Sequence, residues 1–291
     1  MNKNEILLVF LISLIDMNEK KRKFILNRHK DTISKYMKCI GYKSSLILFE
    51  NEFCLVYKSY IRNMYHIIKV KKESSDIYNE IKMLMKIKKR KIQNVSNIYS
   101  VNILPITNNI NIILISMEYR ADYNDIYYHL NIYRVFQEDL AVIVLKKVIY
   151  ILQDLLSIKL CYTDIKDENI LLNIDTHDVC IIDFEGCFPL KKSNILLGTD
   201  YCLPPEVYHE IYVKNVEQSP RDIYKAYPWL LGSLLIRMID DNSDIQEGIK
   251  KINTDKSVSE CCLDFISKCM ENIYEKRITF GEMLKHPLLK N

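Results

Sequence analysis

The stretch Cys161–Leu172, with the sequence CYTDIKDENILL, decides the fold of this chain. It places a carboxylate at Asp164, an amine at Lys166 and a carboxamide at Asn169, and then continues into apolar residues typical of a strand. A second acid, Asp183, lies in the sequence IIDFEG and follows Asp164 by nineteen residues. A carboxylate can accept a proton from a hydroxyl, and a carboxamide with a second carboxylate can hold Mg²⁺ on a triphosphate. The residue types therefore suit proton transfer and metal binding.

The order and spacing of these residues resemble the catalytic loop and the metal-binding Asp-Phe-Gly segment of protein kinases. The sequence Asp-Ile-Lys-Asp-Glu-Asn is most similar to Ser/Thr kinases, the Pim group among them. The resemblance implies an α+β, bilobal fold, with a small β-rich N-lobe that has one main helix and a larger α-helical C-lobe. It also implies ATP and Mg²⁺ as cofactors, Asp164 and Lys166 as catalytic residues, and Asn169 and Asp183 as metal ligands.

The composition fits one large domain or two lobes, since 291 residues give ample material for a core. Hydrophobic residues make up 48% and charged residues 27% of the chain, as in soluble globular proteins. A net charge of +4 does not indicate nucleic acid binding. We interpret the basic runs Lys20–Lys23 and Lys86–Lys91 as solvated faces, with an acidic partner or a membrane surface as the alternative. Nine cysteines without a Cys-x-x-Cys pair favour a reducing compartment.

The beginning of the chain carries a separate apolar run, Ile6–Ile15. Its ten residues suit the core of a signal peptide and are too few to span a bilayer. Glu5 weakens a positive n-region and no small-x-small cleavage site follows, so a helix packed on the domain is the favoured interpretation and a signal or anchor is the alternative. The predicted localisation is cytoplasmic, with a secreted or membrane-associated protein as the alternative if residues 6–15 act as a signal or anchor. The predicted domains are an N-terminal extension, an N-lobe, and a hinge with the C-lobe, over residues 1–36, 37–117 and 118–291.

Three β-type runs open the predicted N-lobe, over residues 46–49, 53–57 and 65–70. The last contains the sequence HIIK, which resembles the kinase strand whose lysine reaches the phosphates, here Lys69. The family pairs this lysine with a glutamate on the next helix. Glu80 fits best, because a helical apolar stripe accompanies it, and Glu73 is the weaker candidate. By the same resemblance, Val56 lies above the adenine ring.

The segment Met117, Glu118 and Tyr119 resembles the hinge of the family, whose backbone would bind the adenine edge, and Met117 would be the gatekeeper residue. The loop that should cover the phosphates departs from the family pattern. Alignment on the family's Phe-Gly-x-Val-Tyr places Asn51 at the middle glycine position and Phe49 and Cys54 at the other two. Glycine lets backbone N–H groups approach phosphate closely. Either this loop contacts phosphate differently, or nucleotide affinity is reduced or absent.

The catalytic loop also departs from the family, because Tyr162 and Thr163 stand where the family has His and Arg. The family arginine pairs with a phosphorylated activation loop. Its replacement predicts activity that does not depend on phosphorylation at Ser193, Thr199 or Tyr201.

Two supports around the loop are altered as well. Glu185 replaces the glycine of Asp-Phe-Gly, and Gly186 comes one residue late. Tyr227 replaces the acid that holds the catalytic-loop backbone in the family, which predicts a looser loop. Asp222 is a poorly aligned substitute for that acid.

The end of the activation segment is similar to that of the family, in Gly198-Thr199 and in Pro204-Pro205-Glu206. The resemblance implies that Thr199 is a third catalytic residue, whose hydroxyl bridges Asp164 and Lys166. Glu206 needs a buried cationic partner, and Arg277 stands where the family keeps that arginine.

Two functions are weighed on these residues. The first is a divergent Mg-ATP-dependent Ser/Thr protein kinase that acts on a protein substrate and binds no nucleic acid, with a monomer as the default state. The second is a pseudokinase that serves as a binding or scaffold module, with weak or no nucleotide turnover. The altered glycines, Glu185 and Tyr227 motivate the second.

Overall fold

A computed structural model divides the chain into two compact units, the first comprising Met1–Met85 with Asn97–Arg120 and the second Lys86–Ser96 with Ala121–Asn291. The structure describes residues 26, 29–107, 110–190, 194–195, 202–213, 220–240, 245–252 and 257–290. The predicted residue Thr199 and the phosphorylation candidates Ser193 and Tyr201 lie outside the described residues, as does the apolar run 6–15.

The first unit is built on a five-stranded antiparallel sheet with the strand order β1-β2-β3-β5-β4. The strands are β1 (Ser44–Glu50), β2 (Cys54–Ile61), β3 (Met64–Lys72), β4 (Ile98–Thr107) and β5 (Ile110–Glu118). Six consecutive residues of β5, from position 112 to 117, are buried, so this strand is covered on both faces. The two-residue turn between β2 and β3 has positive φ at Arg62 and Asn63, which matches the right-handed twist of a hairpin.

Two helices accompany this sheet, α1 (Lys30–Cys39) and α2 (Ser75–Arg90). Ile33 and Met37, one turn apart on α1, are fully buried in the same hydrophobic cluster as Leu55, Tyr57 and Ile68 of the sheet. Amphipathic spacing therefore fixes which face of α1 is buried. This β-rich unit contains most of the predicted N-lobe, residues 37–117, whereas Lys86–Ser96 belong to the second unit.

The second unit is mainly helical. Its helices are α3 (Ile126–Tyr133), α4 (Glu138–Ser157), α5 (Pro205–Tyr208), α6 (Ile223–Ile239), α7 (Ile245–Ile252), α8 (Glu260–Cys269) and α9 (Phe280–Met283). Its strands are β6 (Asn124–Asp125), β7 (Leu160–Tyr162), β8 (Ile170–Leu172), β9 (Val179–Ile181), β10 (Cys187–Pro189), β11 (Asn194–Ile195) and β12 (Pro220–Arg221). Short 3₁₀ turns cover Asp167–Asn169, Phe184–Gly186 and Pro287–Leu289, and a π-helical turn covers His209–Val213.

Two of these helices, α4 and α6, support the loops between β7 and β10. The apolar stripe predicted for the long helix, which includes Leu145, Val148, Ile149 and Leu152, is buried along α4. Helix α6 is buried on nearly every side, which is typical of the central helix of a domain. The loops between β7 and β10 are therefore built on rigid elements.

The predicted localisation requires a correction. Among the residues that the structure describes, no helix is long and apolar enough to cross a bilayer. This finding overturns the prediction that named a membrane-associated protein as an alternative, and the apolar run on which that alternative rested is not among the described residues.

Candidate active site

The first unit holds a buried ion pair. The Nζ of Lys69, on β3, donates to Oε1 of Glu80, on α2, at 2.9 Å, and the two residues are only 5% and 2% exposed. The pairing predicted from the apolar stripe is therefore present. The alternative, Glu73, is engaged elsewhere, since its carboxylate accepts hydrogen bonds from Asn111 at 2.7 Å and from the hydroxyl of Tyr78. Removing one partner of so buried a pair leaves an uncompensated charge, which is strongly destabilising.

The side chain of Val56 lies on the same face of the sheet as Lys69, because these two residues pair directly across β2 and β3. Met117 pairs with Ile67 in β3 and is buried. The predicted adenine-facing valine and the predicted gatekeeper methionine are thus both fixed by the central strands of this unit.

The other two predicted hinge residues are held by neighbours within the first unit. The backbone N–H of Glu118 donates to the carbonyl of Asn97 at 2.9 Å, and its carboxylate accepts from Asn97 Nδ2 at 3.0 Å. The hydroxyl of Tyr119 accepts from Lys58 Nζ at 2.7 Å, and the same ammonium lies 4.1 Å from the centre of the Tyr119 ring. This contact is of the cation–π type and orients the ring.

The turn between β1 and β2, where the family has its glycines, is organised by Asn51. Its Oδ1 accepts from the backbone N–H of Phe53 at 2.8 Å and from that of Cys54 at 2.7 Å. The N–H of Asn51 in turn donates to the carbonyl of Cys54 at 3.0 Å. An asparagine that bonds its own chain two residues on is an Asx turn.

In the second unit, the site residues predicted on the loop, Asp164, Lys166 and Asn169, lie close together. Asn169 Nδ2 donates to Oδ2 of Asp164 at 2.6 Å and to its backbone carbonyl at 3.0 Å. The Nζ of Lys166 lies 3.4 Å from the same Oδ2. The side chains of Asp164 and Lys166 remain 22% and 20% exposed, so a solute can reach them. The loop therefore presents an acid, a cation and a carboxamide at one point.

This loop is joined to the segment that carries Asp183. The Tyr162 hydroxyl donates to the carbonyl of Ile182 at 3.1 Å, and Thr163 donates to the carbonyl of Gly186 through its N–H at 2.9 Å and its hydroxyl at 3.1 Å. Burial, together with the nearby Asp164 and Asp183, raises the pKa of Tyr162 well above its usual range, so it stays a hydroxyl donor. The family's His and Arg are thus replaced by residues that tie two loops together.

The close approach of the two loops explains why position 186 is a glycine. A Cβ at this position would lie 2.8 Å from Cβ of Asp164 and 3.0 Å from its backbone nitrogen. No side chain fits there without moving Asp164. The glycine that comes one residue late in the sequence is the one that permits the close approach.

Asp183 has φ +57° and ψ +89°, in the left-handed region, and its Oδ1 accepts from the N–H of Glu185 at 3.3 Å. Left-handed non-glycine residues are uncommon, and they concentrate at functional sites. The carboxylate of Asp183 and the carboxamide oxygen of Asn169 are hard oxygen donors, the type that Mg²⁺ prefers. The residue types fit that ion.

Helix α6 anchors the catalytic loop at two points, and sequence reasoning missed both. The backbone N–H of Tyr162 donates to the hydroxyl of Tyr227 at 3.0 Å, and Tyr227 is fully buried. Arg237 Nη2 donates to Oδ2 of Asp167 at 2.8 Å, and Asp167 is 1% exposed. These contacts join residues 65 and 70 positions apart, and no local pattern connects them.

The expectation of a loosely held loop is therefore wrong at Tyr227. A tyrosine hydroxyl accepts a hydrogen bond as a carboxylate does, and here it reaches the loop backbone from α6. Asp222, the suggested substitute, instead caps α6 by accepting from the N–H of Tyr224 at 2.9 Å.

We expect Tyr227→Phe to leave the buried N–H of Tyr162 without this acceptor. The loss should lower stability by about 1–3 kcal/mol. In the phosphate-transfer activity that the resemblance implies, it should also lower kcat about tenfold or more through misplacement of Asp164, with little change in the KM for ATP. Chemical denaturation and steady-state transfer assays measure the two effects. Tyr224→Phe, an exposed position one turn earlier on α6, is the control and should match wild type; equal kcat in both variants would refute the anchoring role.

The second unit also contains a bidentate ion pair between Arg277 and Glu206. Arg277 is 0% exposed, and its Nη1 and Nη2 donate to the two carboxylate oxygens of Glu206 at 2.8 and 2.9 Å. The predicted pairing of these residues is confirmed, and it is bidentate. The guanidinium also lies 4.8 Å from the centre of the Trp229 ring.

The family model described as Protein kinase domain matches residues 58–289. The chain belongs to the protein kinase family. The predicted kinase-like α+β fold, with a β-rich N-lobe and a helical C-lobe, is confirmed by this match and by the two units. The match begins within β2 and therefore does not include the turn of Asn51. This turn is the part of the N-lobe where the glycines of the family are replaced.

Three similar proteins are Ser/Thr kinases by name. Serine/threonine-protein kinase pim-2 of Danio rerio is 32% identical over 163 residues, which are 52% of this chain and 48% of the relative. The RAC family serine/threonine-protein kinase homolog of Dictyostelium discoideum is 28% identical over 184 residues, 57% of this chain and 39% of the relative. Serine/threonine-protein kinase 1 of African swine fever virus (strain Badajoz 1971 Vero-adapted) is 25% identical over 169 residues, 56% of this chain and 54% of the relative. The chain spans about half or less of the length of these relatives, and it is related to Ser/Thr protein kinases at modest identity.

Proposed function

We propose that this chain is a protein kinase that transfers the γ-phosphate of Mg-ATP to Ser or Thr hydroxyls of a protein substrate. The observation that carries the proposal is the cluster at Asp164, where Lys166 and Asn169 reach the same carboxylate oxygen at 3.4 and 2.6 Å. A capped turn that served only the fold would not need the lysine. The anchoring of the loop by α6 holds this cluster in place, as a reaction that depends on positioning requires.

Each residue then has a role that its surroundings support. Asp164 orients the acceptor hydroxyl and accepts its proton, and Lys166 beside it neutralises charge on the transferred group. Lys69, fixed by Glu80, positions the phosphates. These contributions are positioning and charge neutralisation, which account for most of the catalysis in phosphoryl transfer.

The metal ligands in this proposal are Asn169 and Asp183. Bound Mg²⁺ supplies neutralisation of the phosphate charge. The hydrogen bond that Asn169 donates to Asp164 orients its carboxamide, and the turn at Asp183 is closed by its own bond to Glu185. Both side chains therefore have defined orientations without help from the ion.

The acceptor class in this proposal is Ser/Thr. Lys166 two residues after the acid is typical of Ser/Thr kinases, and the names of the relatives agree. The bridging role of Thr199 is part of the proposal and concerns a residue outside the described part of the chain. Activity that does not depend on phosphorylation of the activation segment remains a prediction that follows from Thr163.

One observation favours the second candidate, a pseudokinase that binds a partner and turns over little or no nucleotide. The N–H groups of Phe53 and Cys54 are already bonded to Asn51. A kinase loop uses such groups to hold phosphate.

Nucleotide-dependent stabilisation separates the two candidates. We expect ATP with Mg²⁺ to stabilise the wild type by about 1.4 kcal/mol at ten times Kd, and ATP without the metal to stabilise it less. Asp183→Asn keeps an acceptor for the N–H of Glu185 but should lose the metal dependence. Asp175→Asn, an exposed acid in the turn after β8, should behave as wild type. Absence of any nucleotide effect at millimolar ATP would contradict the proposed kinase and favour the pseudokinase.

A further inference from the structure

The turn between β1 and β2 is closed by three hydrogen bonds, and Asn51 takes part in all of them. Two converge on its Oδ1, from the N–H groups of Phe53 and Cys54, and the third runs from its own N–H to the carbonyl of Cys54. The distances are 2.8, 2.7 and 3.0 Å, within the usual range for such bonds. The carboxamide oxygen is therefore held by two adjacent backbone donors.

Two successive N–H groups that converge on one point form a concavity that binds anions. Phosphate oxygens are the ligands that such backbone donors hold in glycine-rich loops. In this chain, a side-chain oxygen of the loop itself lies where a phosphate oxygen would accept these bonds. Asn51, Glu52 and Phe53 are all exposed, so the turn is open to a solute.

We propose that the carboxamide of Asn51 is an internal stand-in for a phosphate oxygen, and that nucleotide must displace it to bind the turn. The inference rests on the proposed function and deepens it, since it names the residue that sets the nucleotide affinity of this site. A charged acceptor forms hydrogen bonds about twice as strong as a neutral one, so phosphate can displace the carboxamide. The displacement consumes part of the binding free energy, and the affinity is lowered accordingly.

The charges beside the turn act in the same direction. Glu50 and Glu52 flank Asn51, and both carboxylates oppose an approaching phosphate. The ammonium of Lys30 contacts Glu50, so part of this charge is compensated from α1. The affinity for ATP is therefore set by the displaceable carboxamide of Asn51 and by the negative charges of Glu50 and Glu52 on either side of it.

Removal of the carboxamide tests the proposal. Asn51→Ala deletes the acceptor without adding backbone freedom, and Asn51→Gly deletes it and adds that freedom. Both should lower the Kd for Mg-ATP, by about tenfold for each bond that no longer has to be broken, and calorimetric titration measures this change. Asn51→Asp keeps the acceptor and adds a charge, so its Kd should rise. Asn63→Gly, at the exposed turn after β2, is the matched control and should bind as wild type.

Amide hydrogen exchange provides a second readout that does not depend on nucleotide. The N–H groups of Phe53 and Cys54 should exchange faster in Asn51→Ala than in the wild type, and those of the turn at Asn63 should not change. Equal exchange in both proteins would overturn the inference, because the carboxamide would then not hold these groups.

The outcomes separate this inference from the proposed function. If the wild type transfers phosphate while Asn51→Ala and Asn51→Gly bind ATP no more tightly than the wild type does, the inference is refuted and the proposed function stands. If the wild type transfers no phosphate while the two variants bind Mg-ATP tightly, the inference is supported and the proposed activity is refuted. Lack of ATP binding in all of these proteins refutes both.

Discussion

Asn in place of Asp164 should lower the rate of phosphate transfer by about 10²–10⁴-fold. The carboxamide has the shape of the carboxylate and can still accept the hydrogen bond that Asn169 donates at 2.6 Å. It cannot accept a proton, and it removes the negative charge that faces Lys166. In the proposed mechanism Asp164 acts on the acceptor hydroxyl rather than on the nucleotide, so the loss should fall on kcat. Steady-state transfer with varied ATP measures kcat and KM separately.

Two comparisons make this experiment decisive. Asp154→Asn, an exposed acid on α4, should transfer phosphate as wild type does. The thermal midpoint of Asp164→Asn should stay close to that of wild type, since the hydrogen bond from Asn169 survives. Transfer by Asp164→Asn at the wild-type rate would remove Asp164 from the mechanism.

Arg277→Met should destabilise the second unit by about 3–5 kcal/mol, the cost of breaking a buried ion pair from one side. The guanidinium is completely buried, and it bonds both oxygens of Glu206 as well as the carbonyl of Glu271, the latter at 2.9 Å. Without it, the partly buried carboxylate of Glu206 loses both of its hydrogen bonds to the guanidinium. Urea denaturation, with the slope m fitted together with the midpoint, measures the loss.

The neighbouring Lys276 provides the control for this substitution. It is exposed, so Lys276→Met removes the same charge and should change stability by less than about 0.5 kcal/mol. Arg277→Lys keeps the charge but loses the bidentate geometry, and its stability should lie between those of wild type and Arg277→Met. If Arg277→Met were as stable as Lys276→Met, the pair with Glu206 would not be a structural support.

The two ion pairs could be predicted because the resemblance to protein kinases implies them and the sequence has suitable residues at the matching positions. Glu80 was distinguished from Glu73 by the apolar stripe of α2, which fixes the face that turns toward the sheet. The resemblance to protein kinases places Arg277 where the family keeps the arginine partner of Glu206, and the cost of an unpaired buried carboxylate gives the reason for that partner. The strands and the long helix followed from alternation and from the 3.6-residue period. These features depend on local periodicity or on charge balance.

The anchors of the catalytic loop depend on side-chain conformations that no local pattern gives. Tyr227 was expected to weaken the loop because it is not an acid, yet its hydroxyl provides the acceptor. Asp167 reaches Arg237 only because α6 passes behind the loop. The role of Gly186 requires the backbone distance to Asp164, which the sequence does not contain.

Asn51 is an intermediate case. Asparagine between two strands is a signal for an Asx turn, and that signal was present in the sequence. The family pattern indicates only that position 51 lacks a glycine, whereas in the structure the Asn51 side chain accepts hydrogen bonds from the N–H groups of Phe53 and Cys54.

The central claim, that this chain is a working Ser/Thr kinase, is tested most directly by incubation of the purified protein with [γ-³²P]ATP and a mixed protein substrate, with and without Mg²⁺. Phosphoamino acid analysis of the labelled substrate then identifies the acceptor. The account predicts Mg²⁺-dependent label on serine or threonine, which the Asp164→Asn variant does not produce above about 1% of the wild-type rate. Absence of label from the wild type, or label that is equal in the two proteins, would contradict it.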